Sequence, residues 1–233
     1  MPALFVTGTG TDIGKTFVTA GLIRFFRNTG RAVSALKPIV SGFDPDAPAG
    51  SDPAMLLGAL DEPVTQQNLA RVSPWRFRAP LSPDMAARAE GRAIDFEAVV
   101  ALCRAAIPTG EAILVVEGVG GIMVPLDERH TVLDLMARLA VPLVLVGGTY
   151  LGSLSHLLCA QDVVLRRGLE LATIVISETE GSPVPLEAVL ETLSRFTTAP
   201  LLGLPRVRVA GRADDSFARL GTSILAHLGG RSV

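Results

Sequence analysis

The stretch FVTGTGTDIGKTF, Phe5 to Phe17, constrains the fold of this chain more than any other. It joins an apolar run, Ala3–Val6, to a helical pattern that opens at Lys15. Gly8, Gly10 and Gly14 relieve the backbone in between, so that successive N–H groups can converge on an anion. A helix starting near Lys15 adds the positive end of its dipole. Lys15 can then reach terminal phosphate oxygens, and the Thr16 hydroxyl can join Mg²⁺. The spacing is unusual. Five residues, Thr9 to Ile13, separate Gly8 from Gly14, where the pattern Gly-x-x-x-x-Gly-Lys-Ser/Thr has four. The extra residue changes the shape of the loop and leaves its physics intact.

Short apolar runs recur along the chain: Ala32–Leu36, Ala112–Val116, Pro142–Val146, Ala172–Ile176 and Pro200–Gly203. They are continuous rather than alternating, as strands read when both faces of a parallel sheet are covered. Helical patterns fall between and after them, at Lys15–Asn28, Asp95–Ala106, Thr131–Leu139, Ser153–Arg167, Leu186–Phe196 and Ser216–Leu228. Gly30, Gly110 and Gly168 stand where helix stops are expected. The alternation predicts an α/β fold, a doubly wound, mostly parallel sheet flanked by helices, of P-loop NTPase type. At 233 residues the chain suits a single domain spanning 1–233. One region breaks the rhythm. Residues 41–90 are rich in Pro and Asp and read as a long functional loop, with Trp75 as a packing anchor.

The charge balance, 21 Lys+Arg against 23 Asp+Glu, offers no electrostatic argument for nucleic acid or an anionic membrane as partner. The most apolar run, Leu139–Gly148, is too short to span a bilayer, and no targeting segment precedes the glycine-rich loop. The two cysteines, Cys103 and Cys159, sit in apolar helical stretches without metal-like spacing and read as reduced packing residues. A cytoplasmic protein is expected.

Further candidates stand at the ends of the expected strands, where open parallel sheets place their ligands. Lys37 closes the second strand, with Ser41 four residues on. Asp52 reads equally well as a Mg²⁺ ligand or as a helix N-cap. Glu117 ends a strand and is followed by Gly118, Gly120 and Gly121, which keep side chains clear of a ligand; an acid there suits a metal. The helix start near Ser153 suits a carboxylate or phosphate. His130 reads as part of a surface turn, and His156 as packing or solvent-exposed.

These pieces, in this order, resemble the dethiobiotin synthetases. The shared strings are FVTGTGTDIGKT, KPIVSG, Ser51–Asp52, APLSP at Ala79–Pro83, VEGVGG, LGSLSH and APLLGLP, running from Phe5 to Pro205. The resemblance implies that ATP and CO₂ or bicarbonate convert 7,8-diaminononanoate (7,8-diaminopelargonate) into dethiobiotin through a carbamic–phosphoric anhydride. It implies Lys15, Lys37, Thr11 and Ser41 as catalytic, and Thr16, Asp52 and Glu117 as Mg²⁺ ligands. Nucleotide contacts are implied for Asp12, Ile13, Gly14, Lys15, Thr16, Phe17, Asp52, Glu117, Gly118, Val119 and Gly120. Around the base they are implied for Ser177, Glu178, Pro205, Arg206 and Val207. Ser41 would also touch the substrate. Its carboxylate would dock at Leu151, Gly152, Ser153, Leu154 and Ser155 of a second copy, which implies a homodimer.

Ser177 and Glu178 stand where the family often has Asn-Asp, and Ser155 where Asn is frequent. Relaxed nucleotide choice is expected, because one hydroxyl replaces an amide that both donates and accepts. Two other classes of ATP-dependent protein share part of this pattern. An amide ligase of the cobyrinic acid diamide synthase type would usually carry a glutaminase domain with a Cys–His pair. A switch ATPase of the plasmid-partition type carries an additional lysine early in its loop, where this chain has Thr9, Gly10 and Thr11.

Overall fold

The computed structural model describes residues 2–206 and 212–229, with side chains from Asp215 in the last segment. Six strands form one sheet: β1 (Ala3–Gly8), β2 (Val33–Leu36), β5 (Ile113–Glu117), β6 (Leu143–Gly147), β7 (Leu171–Ser177) and β8 (Leu201–Leu204). Their order is β2-β5-β1-β6-β7-β8, and every neighbouring pair is parallel. Each apolar run expected as a strand is one.

Successive β1 side chains feed opposite cores, as the pleat requires. Leu4 and Val6 join Val18, Leu22 and Phe26 of α1 (Lys15–Asn28). Phe5 faces the other way, into a cluster that includes Val99 of α5 (Phe96–Ala106) and Met136 of α6 (Val132–Leu139). Leu157 of α7 (Ser153–Arg166) and Val189 of α8 (Leu186–Leu193) extend that second face. Both faces are covered, which is why the strands are apolar throughout. The chain crosses on one face from β1 to β2, and on the other from β5 through β6 and β7 to β8. The winding reverses around β1, and ligand clefts form at such points, beyond the strand carboxyl ends.

The last helix, α9 (Arg212–Gly229), lies on α1. The two dock reciprocally. The Phe217 ring occupies the space a Cβ on Gly21 would need, and the Phe25 ring does the same at Gly221. A side chain at either glycine would push the helices apart.

Residues 41–90 are not the long loop that the Pro and Asp content suggests. They contain α2 (Asp52–Ala59), α3 (Gln66–Val72) and α4 (Pro83–Ala89). A small parallel ribbon pairs β3 (Ile39–Ser41) with β4 (Trp75–Phe77). Two of this region's prolines sit in first turns, where the missing N–H costs nothing: Pro53 is the second residue of α2 and Pro83 the first of α4. Trp75 packs against the core as expected. Other readings change. The α8 helix stops at Leu193, before Phe196. Gly30 and Gly168 are left-handed stops, whereas Gly110 is not. Cys103 is buried, but Cys159 is exposed rather than packed. No helix among the described residues is long and apolar enough to cross a membrane.

Candidate active site

A cleft of about 870 Å³ opens at the carboxyl ends of β1, β2 and β5. Its floor is the glycine-rich loop. Gly14 takes φ 91° immediately before α1, and Asp12 takes φ 56°. Gly8 lets the loop close tightly, since a Cβ there would lie 2.4 Å from Ile13 Cδ1 and 3.0 Å from Val146 O. Thr9 N donates to Val146 O at 3.0 Å, and Gly118 N donates to Val6 O at 2.9 Å. The residues that leave β1 and β5 are thus tied to the strands beside them.

Four charged groups meet there. Lys37 Nζ lies 2.6 Å from Glu117 Oε1 and 2.6 Å from Asp52 Oδ2. Thr16 Oγ1 donates to the same Glu117 oxygen at 2.6 Å. Lys15 Nζ donates to Gly10 O at 2.5 Å, folded onto its own loop. Lys37 and Glu117 are buried, at 3% and 0% side-chain exposure, so their attraction is weakly screened. Burial alone would lower the Lys37 pKa, but Glu117 and Asp52 outweigh it and the pKa is raised. Lys15 lacks such close partners. Burial, then the charge of Lys37, pushes its ammonium down to about 8. Burial works against the Asp52 carboxylate, yet Lys37 holds its pKa below the ordinary value.

Asp52 is not the N-cap of α2. Ser51 takes that role, its Oγ accepting from Ala54 N at 3.4 Å. The Asp52 carboxylate is left to face Lys37. Glu117 Oε2 is buried without a hydrogen-bond partner among the described residues. Two carboxylates, one of them with an unused oxygen, and a hydroxyl make an oxygen-rich set that fits Mg²⁺, which takes few protein ligands and keeps water and phosphate oxygens. The described residues hold no group of three or more His, Cys, Asp or Glu suited to a metal, in keeping with so open a set.

Most of the expected residues are brought together. Thr11, Asp12, Gly14, Lys15, Thr16 and Phe17 line the cleft. So do Lys37, Ser41, Asp52, Val119 and Gly120. Gly118 lies behind, tight against the Phe5 ring. Ser177 stands beside the loop, its Oγ 2.6 Å from where a Gly14 Cβ would be. Glu178 Oε2 accepts from Arg206 N at 2.7 Å, which folds Pro205–Arg206 back beside Ser177. Val207 lies outside the described residues. Leu151 to Ser155 do not line this cleft; they open α7 beyond β6, with Leu151 85% exposed.

Several lining residues escaped a reading of strand ends. Val40, Gly42 and Phe43 come from the β3 ribbon, and Pro80 to Pro83 from the approach to α4. The string APLSP was the available signal for the second group. His130 is no simple surface turn. Its ring stacks on Phe96 at 4.0 Å and its Nδ1 lies 2.8 Å from Asp127 Oδ2. His156 Nδ1 meets Tyr150 Oη at 2.8 Å.

A parallel sheet, a strand–loop–helix phosphate cradle and a switch-point cleft define a P-loop nucleotide-binding domain. The family model described as an AAA domain matches residues 2–211. The Pyrococcus furiosus cell division ATPase MinD superposes with a TM-score of 0.55 at 15% identity, covering 97% of this chain and 100% of that one, a likeness of fold. The ATP-dependent dethiobiotin synthetase BioD of Acidiphilium cryptum is 47% identical over 85% of this chain and 90% of its own. That of Anaeromyxobacter dehalogenans is 40% identical over 96% and 99%. The chain belongs to the ATP-dependent dethiobiotin synthetase family and is an enzyme of that kind.

Proposed function

We propose that this enzyme closes the ureido ring of dethiobiotin from 7,8-diaminononanoate, CO₂ and ATP, as a step of biotin synthesis in the cytoplasm. One amine captures CO₂ as a carbamate and releases a proton. A carbamate oxygen attacks the γ-phosphorus and ADP leaves, forming a carbamic–phosphoric anhydride. The second amine attacks the carbonyl carbon, expels phosphate and releases a proton.

The observation that supports this most directly is the meeting of Lys15, Lys37, Asp52 and Glu117 around one phosphate loop. Phosphoryl transfer needs positioning and charge neutralisation more than covalent help. Lys15 unfolds from Gly10 O toward the phosphates, and Lys37 faces the transferred group, so both place positive charge where negative charge develops. Thr16, Asp52 and Glu117 would hold Mg²⁺, which when bound supplies further charge to phosphate oxygens. Thr11, Asp12 and Ser41 line the part of the cleft assigned to the carbamate. Ser177, Glu178, Pro205 and Arg206 border the base.

The diamine carboxylate docks on the α7 start, residues 151–155, of a second copy, in a homodimer. Fourteen residues of helix and its N-terminal amides suit an anion there.

The test is turnover. Purified enzyme with diamine, bicarbonate, ATP and Mg²⁺ should yield the ureido product and phosphate in equal amounts. ATP hydrolysis without ureido formation would overturn the assignment.

A further inference from the structure

Two loops leave the sheet side by side, one after β6 and one after β7, and they are joined by their threonines. Thr149 N donates to Thr179 Oγ1 at 3.0 Å, and Thr179 N donates to Thr149 Oγ1 at 3.0 Å. Each side chain thus satisfies the other residue's backbone amide. Ser182 Oγ adds a bond to Thr149 O at 2.7 Å. Thr149 is fully buried, so its amide has no recourse to water if Thr179 Oγ1 is lost. Gly148 permits the approach, because a Cβ there would stand 2.6 Å from Thr179 Oγ1.

What lies on either side gives the pair a use. Two residues before Thr179 is Ser177, packed against the Gly14 turn of the phosphate loop. Between them, Glu178 accepts from Arg206 N and donates its own N–H to Leu204 O at 3.0 Å. One residue after Thr149, Tyr150 O accepts from Ser153 N at 3.0 Å, which sets the first turn of α7.

We propose that the Thr149–Thr179 pair is a positioning clasp that ties the nucleotide-base border of one active site to the helix start that receives the carboxylate tail of the diamine. The proposal rests on the function and dimer given above, in which that tail belongs to the neighbouring site. Neither threonine touches a reactant. They act by holding Ser177–Glu178 and Tyr150–Ser153 at a fixed separation.

Thr179→Val keeps the shape and removes the acceptor; Thr179→Ser keeps the acceptor. ADP and inorganic tripolyphosphate are the binding probes, read by calorimetry, beside steady-state kinetics. The valine variant should bind ADP about tenfold more weakly, a change of ~1.4 kcal/mol, with tripolyphosphate affinity unchanged. Its KM for the diamine should rise by a similar factor, with kcat retained within about threefold. The serine variant should behave as wild type in each respect. Unchanged ADP affinity and diamine KM in the valine variant would overturn the clasp. So would an equal loss for tripolyphosphate, or a serine variant as impaired as the valine one, since both mark a general distortion. If the wild-type enzyme forms no ureido product, the functional reading fails, while the comparison of ADP with tripolyphosphate still judges the clasp.

Discussion

The ammonium of Lys37 lies 2.6 Å from the carboxylate of Glu117, and both side chains are buried. A second carboxylate, Asp52, meets the same nitrogen from the cleft side. A buried cation held by two acids at the head of a phosphate loop is poised to exchange partners. In the proposed reaction Lys37 would turn to the entering phosphate oxygens and leave the acids to a metal.

Lys37→Gln therefore has two expected effects. Turnover should fall at least about tenfold, or ~1.4 kcal/mol of barrier. Stability should fall by about 3 kcal/mol, because Glu117 is left buried without its cation. Circular dichroism separates a folded, slow enzyme from an unfolded one. Near-normal turnover in the folded variant would remove Lys37 from the chemistry. Lys15→Gln should lose at least as much turnover, with weaker binding of tripolyphosphate.

Glu117→Gln tests the metal set. The Mg²⁺ concentration for half-maximal activity should rise by about tenfold, since a neutral amide is a poor ligand for a hard cation. The check is a Mg²⁺ titration at saturating ATP and diamine. A curve that overlays the wild type would count against Glu117 as a ligand.

Ser177 bears on nucleotide choice. Its hydroxyl sits against Gly14, and it is too short to span both the amino group and a ring nitrogen of adenine. One lost polar contact is worth about 0.5–1.5 kcal/mol. GTP, CTP and UTP should thus support turnover within roughly a hundredfold of ATP. Initial rates for the four nucleotides decide it. A thousandfold preference for ATP would assign base reading to the main chain.

The two thiols should differ sharply. Burial pushes Cys103 up to about 12, whereas Cys159 is exposed. At pH 8 a thiol-specific reagent should titrate Cys159 in the native enzyme and reach Cys103 only after denaturation. Fast labelling of both in the folded state would contradict the buried position of Cys103.

Sequence alone determined the sheet and its phosphate loop. Strands covered on both faces must be apolar throughout, so the runs at Ala3, Ala112, Pro142 and Ala172 could be read without a partner. The loop carries its mechanism in consecutive residues, from Gly8 to Thr16, and its glycines have no cheaper use. Glu117 was legible for the same reason, as an acid closing an apolar strand.

Only the tertiary structure decided what those residues meet. Lys37 and Glu117 are 80 residues apart and touch because β5 inserts between β2 and β1, an order that no local pattern encodes. Asp52 could cap a helix or face a cation, and the choice fell to Ser51, one residue earlier, whose hydroxyl took the cap. Residues 41–90 looked like a loop because their helices are short and two of them carry a proline in the first turn, a residue that punctuates a sequence but fits there. The Thr149–Thr179 pair gave no local signal, because reciprocal hydrogen bonds across 30 residues exist only once parallel strands β6 and β7 bring their ends together.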